Sequence, residues 1–105
     1  MEKLNFKLSA ANRAGGTRMQ VIVGVVASGN LEVLLERALP AEVCTIDVAT
    51  SAHGFGAVWE AVVRDFVTRR AAGGLRISVN DGGARPDTVA LRLAQGVRMI
   101  EEPEA

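Results

Sequence analysis

Residues 19–36 read MQVIVGVVASGNLEVLLE, and this stretch decides how the 105-residue chain folds. An apolar run from residue 19 to 27 stops at Ser28, and a second strand-like run covers residues 31–36. Two such runs separated by Gly29-Asn30 predict a tight β-hairpin, because both residues tolerate the backbone conformations that hairpin turns need. The pattern therefore places Ser28 beside the hairpin tip, with its hydroxyl presented to solvent.

Hydrophobic periodicity assigns the rest of the chain to three further strands and two helices. The predicted strands cover residues 4–8, 44–48 and 75–79, the first helix covers residues 56–71, and Pro86 opens a second helix whose buried stripe ends at Ile100. The order is ββββαβα, which favours an α+β fold, a two-layer sandwich with two amphipathic helices on one face of a mostly antiparallel sheet. Residues 19–27 carry apolar side chains on both faces, which predicts a strand in the middle of that sheet.

Composition narrows the classes of function. Lys plus Arg and Asp plus Glu number 12 each, so the net charge is zero, and the chain lacks the basic excess that a nucleic-acid surface needs. The single cysteine, Cys44, excludes an internal disulfide and indicates a reducing cytoplasm. No apolar signal segment follows Met1, and the apolar run at residues 21–27 is too short to cross a membrane. We therefore expect residues 1–105 to form one cytoplasmic domain.

Few side chains combine into a catalytic or metal site. His53 is the only histidine, and it lies before Gly54 in a predicted loop, far along the chain from Ser28. Without a base beside it, Ser28 is not arranged as a hydrolase nucleophile, and His53 has no partners at metal-ligand spacing. Cys44 alternates with core residues of its strand and is expected to be a buried, inert thiol. The sequence thus predicts no catalytic residue and no metal site, and an unactivated serine suits attachment of a group by another enzyme.

The segment from Ser28 to Glu36 resembles the signature of the acyl carrier (delta) subunit of biotin-independent malonate decarboxylase, which reads approximately Gly-Ser-Gly-Asp-Leu-Glu-Val-Leu-Leu. The same segment is more weakly similar to the citrate lyase acyl carrier. Two positions depart from the malonate pattern, since Asn30 stands where Asp is usual and Ala27 where Gly is common. Further matching positions, which extend the resemblance over most of the chain, are Thr50, Ser51, Gly54, Asp81, Gly83, Ala84, Val89, Leu91, Arg92, Leu93, Gln95 and Gly96.

In both families the serine that matches Ser28 is esterified by phosphoribosyl-dephospho-coenzyme A, whose thiol carries the acyl chain. The resemblance therefore implies that Ser28 is the covalent attachment site of this cofactor and that Gly29 and Asn30 form the turn that presents it. It also implies a non-catalytic carrier of acetyl and malonyl thioesters in malonate breakdown. Arg92 falls in a matching segment, where an exposed helix contact is favoured over a contact with the phosphates of the cofactor.

The resemblance also implies which partners supply the catalysis. A transferase subunit would exchange bound acetyl for malonate, decarboxylase subunits would act on the malonyl carrier, and a prosthetic-group transferase and a malonyl transferase would load the chain. Neither nucleic acid nor a membrane is an expected partner. Two alternatives stay open: an interaction or scaffold subunit without a covalent group, in which Ser28 is only a turn residue, and an independent small enzyme, which is the least favoured.

Overall fold

Strands and helices follow one another in the order ββββαβα, as the periodicity of the sequence predicts. The computed structural model describes residues 1–25 and 28–103, with the backbone alone described at residues 25 and 28–30. The elements are β1 (Glu2–Ser9), β2 (Gln20–Val25), β3 (Ser28–Arg37), β4 (Val43–Thr50), α1 (Gly56–Arg69), β5 (Leu75–Asp81) and α2 (Pro86–Glu101). The first helix ends before the predicted residue 71 because Arg70 is extended, with φ −123° and ψ 151°.

The strands of the described chain form one sheet in the order β1-β4-β5-β3-β2. The pairs β1–β4, β2–β3 and β3–β5 are antiparallel, whereas β4 and β5 run parallel. A parallel pair needs a crossover connection, and α1 provides it between β4 and β5. The sheet is therefore mostly antiparallel, and the predicted α+β class is confirmed.

The core lies between one face of the sheet and the two helices. Leu35, Ile77 and Ile46 are direct neighbours across β3, β5 and β4, and all are fully buried. Arg76, which precedes Ile77 in β5, is exposed on the opposite face of the sheet. Its Nη2 lies 3.3 Å from Oε1 of Glu36, which is its neighbour on β3. The helices bury Trp59, Val63, Phe66 and Val67 from α1, and Val89, Leu93, Gly96, Val97 and Ile100 from α2. Both helices therefore cover the same face of the sheet, as predicted. Within the described residues, neither helix is long and apolar enough to cross a membrane.

The predicted central position of the strand at residues 19–27 is wrong. Of the described strands, β2 lies at the edge of the sheet and pairs with β3. Val21 and Val23 are buried under α2, but Ile22 is 57% exposed and Met19, just before the strand, is 62% exposed. The helices cover only one face of the sheet, so an apolar residue on the other face stays in contact with solvent. Apolar residues on both faces therefore do not require a central strand.

The predicted hairpin exists, but its register differs from the prediction. Val25 pairs with Ser28, so β3 begins at the serine, and Gly29 and Asn30 are strand residues rather than the turn. Residues 26 and 27, which were predicted to end the first strand, lie outside the described residues. From Gln20 to Val23 the register follows from apolar pairs such as Val23 with Val33, and it shifts before Val25 pairs with Ser28. Burial of one face specifies strand register more strongly than a Gly-Asn pair does.

Substitutions at two isoleucines test which positions of the sheet are buried and which are exposed. Ile77→Ala should lower the free energy of unfolding by about 2 to 5 kcal/mol, because it leaves a cavity in the centre of the core. Ile22→Ala removes the same atoms from a mostly exposed position on the edge strand, so its effect should stay within about 0.5 kcal/mol. Urea unfolding of both variants provides the comparison, and equal losses would contradict the assignment of β2 to the edge.

Candidate functional site

The candidate site is the end of the β2–β3 hairpin, where the backbone of Ser28 opens β3. Ser28 pairs with Val25, and Leu31, three residues further along, is fully buried and pairs with Asp81 of β5. The serine therefore lies at the start of β3, next to the edge strand β2, on a segment whose other end is anchored in the core.

Gly24 shapes this end of the hairpin. The register between β2 and β3 shifts between Val23 and Val25, and Gly24 has a φ of 76° there. A β-carbon at this position would lie 2.5 Å from the carbonyl oxygen of Leu31. Only glycine combines a positive φ with such a close approach of two backbones. The geometry of the hairpin next to Ser28 therefore depends on this residue.

Arg92 reaches the same end of the hairpin from α2. Its Nε lies 3.6 Å from the position that a β-carbon on Gly24 would occupy, and the side chain is half-buried. Nη1 donates a hydrogen bond to Oε1 of Gln95 at 3.0 Å. The buried Nε has no hydrogen-bond partner among the described residues. The expected helix contact is therefore present, to Gln95, but the side chain is half-buried rather than exposed and extends towards Gly24 of the hairpin.

The carboxylate of Asp81 holds together three elements beside the hairpin. This side chain is 3% exposed, and its Oδ2 accepts a hydrogen bond from the Thr50 hydroxyl at 2.7 Å. Its Oδ1 accepts from the backbone N–H groups of Gly83 at 3.1 Å and Ala84 at 2.7 Å. The carboxylate thus joins the ends of β4 and β5 to the start of α2. The sequence identified Asp81 only as a position that matches the family pattern, and the signal for this role was an acidic residue directly before two glycines.

A cavity of about 340 Å³ opens at this same end of the sheet, between the first turns of α1 and α2. Its apolar walls include Phe55, Trp59, Val62 and Val89, and Asp81 borders it. Asp81 is paired with Leu31, which follows Ser28 by three residues in β3. Because the Asp81 carboxylate already bonds to Thr50, Gly83 and Ala84, the cavity offers apolar contact rather than an acid or base.

The remaining reactive side chains do not lie on the hairpin. His53 is exposed in the loop between β4 and α1, and Ser51 is exposed beside it. Cys44 is fully buried in β4, and burial raises the pKa of its thiol to about 12. This confirms the buried, inert thiol that the alternation of its strand predicted. Among the described residues, no group of three or more His, Cys, Asp or Glu side chains could hold a metal ion.

Comparison with known proteins shows which family this chain matches. Residues 18–100 match the family model described as malonate decarboxylase delta subunit. The chain is 62% identical over 102 residues to the malonate decarboxylase acyl carrier protein of Bradyrhizobium diazoefficiens, covering 97% of each chain. It is 50% identical over 100 residues to the protein of that name from Burkholderia cepacia, covering 95% of this chain and 91% of the relative.

A solved structure has the same fold. It is the crystal structure of a Pseudomonas malonate decarboxylase hetero-tetramer in complex with malonate. One of its chains is 37% identical to this protein and superimposes with a TM-score of 0.82, over 95% of this chain and 99% of that chain. The similarity therefore extends from the sequence to the arrangement of strands and helices.

Gly24→Ala tests the dependence of the hairpin on a close backbone approach. The control is Gly54→Ala, because Gly54 also has a positive φ, 83°, but nothing lies within 4 Å of the added β-carbon. Both variants should lose stability from backbone strain, and Gly24→Ala should lose about 1 to 3 kcal/mol more because of the contact with Leu31. Urea unfolding measures the difference, and equal losses would show that the strands do not need this glycine.

The Cys44 thiol provides a test of burial by its reactivity. Its pKa lies near 12 instead of the usual 9.0. Each unit of this increase lowers the fraction of reactive thiolate about tenfold. At about pH 8, alkylation by iodoacetamide should be slower in the folded than in the urea-unfolded protein by roughly two to three orders of magnitude. Because the thiol loses its proton more readily in the unfolded protein, its burial also makes stability depend on pH. Its contribution to the free energy of unfolding is fully present below about pH 9 and declines as the pH rises towards 12. Rapid alkylation of the folded protein would contradict this assignment.

Proposed function

Because the chain belongs to the family of malonate decarboxylase acyl carrier (delta) subunits, we propose that it is the acyl carrier of a malonate decarboxylase and holds its prosthetic group on Ser28. The observation that carries this proposal is the position of the Ser28–Glu36 signature. It opens the strand β3, next to the edge strand β2, inside the segment that matches the family. A group attached there has a rigid base, because the strand is anchored in the core from Leu31 onwards.

The residues around Ser28 fit a phosphate-linked group such as phosphoribosyl-dephospho-coenzyme A. Arg92 brings a positive charge with an unused donor to the end of the hairpin, and among the described residues no carboxylate forms an ion pair with it. The thiol of this group, when bound, holds acetyl or malonyl as a thioester and so makes the loss of carbon dioxide from malonyl easier. A tether of this kind keeps the acyl group at a high local concentration for enzymes that dock on the carrier.

The chain itself contributes attachment and positioning rather than acid–base chemistry. His53 lies in the β4–α1 loop and Cys44 is buried, so neither lies on the hairpin with Ser28. The hydroxyl of Ser28 therefore depends on a base supplied by the enzyme that modifies it. Asp81 and Thr50 keep the neighbouring strand ends in place while partner enzymes act on the acyl group.

The catalytic steps belong to partner subunits in this proposal. The similar Pseudomonas chain is part of a malonate decarboxylase hetero-tetramer, which supports an assembly of the same kind for this carrier. We assign to the partners the exchange of acetyl for malonate, the decarboxylation of the malonyl carrier, and the loading of the carrier by a prosthetic-group transferase and a malonyl transferase. The cytoplasm is the compartment we propose, because the unpaired Cys44 suits a reducing environment.

Mass spectrometry of the protein from its native host tests the attachment site. Protein from cells grown on malonate should carry an adduct with the mass of phosphoribosyl-dephospho-coenzyme A, and peptide mapping should place it on Ser28. Ser28→Ala should lack the adduct and keep a native circular dichroism spectrum. Ser51→Ala is the control, because Ser51 is an exposed serine in another loop and its removal should leave the adduct in place.

Two results would contradict this assignment. An adduct on Ser51 would mean that the attachment site was misidentified. Unmodified protein from malonate-grown cells would favour the scaffold alternative, in which the chain only holds other subunits together.

A further inference from the structure

Arg92 has unused hydrogen-bonding capacity beside the proposed attachment site. Its Nε is buried and has no partner among the described residues, although a buried hydrogen-bond donor without a partner is costly. We infer that the guanidinium of Arg92 binds the phosphate that joins the prosthetic group to Ser28. This inference rests on the proposed function, since it requires the group to be attached there.

Arg37 shows how a half-buried arginine with a complete set of hydrogen bonds is arranged in this fold. Arg37 is also half-buried, but its guanidinium donates to the carbonyl oxygens of Arg18 at 2.6 Å, Ala14 at 2.7 Å, Ile100 at 3.2 Å and Gly15. Arg37 therefore joins a loop to the end of α2 and has a complete structural role. Arg92 has one hydrogen-bond partner among the described residues, the side-chain oxygen of Gln95, and its Nε has none.

The position of Arg92 restricts which phosphate it can reach. The side chain crosses from α2 to Gly24, which lies next to Val25 in the sequence, and Val25 pairs with Ser28. The first phosphate of a group on Ser28 is the phosphodiester itself, whereas other phosphates lie further along the group. Proximity to the hairpin therefore favours the linking phosphate.

The chemistry of the guanidinium fits this ligand. Gln95 holds Nη1, which orients the group and leaves Nε and Nη2 as neighbouring donors on one planar edge. Two parallel N–H donors match two oxygens of a phosphate, and such charge-assisted pairs are stronger than neutral hydrogen bonds. Bound in this way, Arg92 would act as a positioning residue that fixes the direction in which the prosthetic group leaves the hairpin.

Nuclear magnetic resonance on loaded and bare protein tests the inference directly. Intact-mass analysis first establishes that the adduct is on Ser28. The Arg92 Nε–H signal should then shift between the two forms, and its exchange with water should slow by about tenfold in the loaded form, as expected for one charge-assisted hydrogen bond. This comparison uses the wild-type chain, so it does not depend on whether a variant folds.

Phosphorus spectra of two variants provide a second measurement. Arg92→Gln should shift the phosphodiester resonance of the loaded protein and leave the diphosphate resonances of the group unchanged. Arg18→Gln is the matched control, because Arg18 also has a buried Nε without a partner among the described residues but lies just before β2, at the opposite end from Ser28. It should leave every phosphorus signal in place.

The outcomes separate this inference from the proposed function. If no adduct forms on Ser28, the proposed function fails and the role of Arg92 fails with it. If the adduct is on Ser28 but the Arg92 Nε–H signal is the same in both forms, only the role of Arg92 is overturned. An equal effect of Arg92→Gln and Arg18→Gln on the phosphodiester signal would overturn it in the same way.

Discussion

The pairing of β3 with β5 at the centre of the sheet is the constraint on which the rest of the structure depends. Leu31, Val33 and Leu35 point into the core from alternate positions of β3 and are all fully buried. A slip of one residue would turn all of them towards solvent, so the register of β3 is strongly specified. Because β2 pairs with β3, this register also determines where β2 ends and where Ser28 begins the next strand.

Two polar side chains stabilise opposite ends of this arrangement. At the hairpin end, the Asp81 carboxylate bonds to Thr50 and to the loop that leads into α2. At the other end, the Arg37 guanidinium bonds to backbone carbonyl oxygens of residues 14, 15, 18 and 100. Both groups are largely satisfied, so they contribute to the structure of the scaffold. Arg92 differs from them because its Nε has no partner among the described residues and it lies at the hairpin end, where we propose that it binds a phosphate.

A carrier of this design separates attachment from catalysis. The sheet supplies a rigid base for Ser28, and the described residues bring no histidine or free thiol to the hairpin. An unactivated hydroxyl is stable until a specific enzyme modifies it, which suits a group that is installed once and then used repeatedly. The proposed attachment residue begins the strand β3, which lies between β2 and β5 in the sheet.

The sequence by itself determined the order of the elements, the faces of the helices that are buried, and the serine that carries the family signature. These features are local, because a period of two or 3.6 residues and a short motif can be recognised along the chain. Only the tertiary structure decided that β2 lies at the sheet edge, that Gly29 and Asn30 belong to β3, and that Arg92 reaches the hairpin. It also decided that Asp81 joins three elements. Each of these depends on contacts between residues far apart in the chain, and such contacts are set by which apolar faces pack together rather than by the residues next to them.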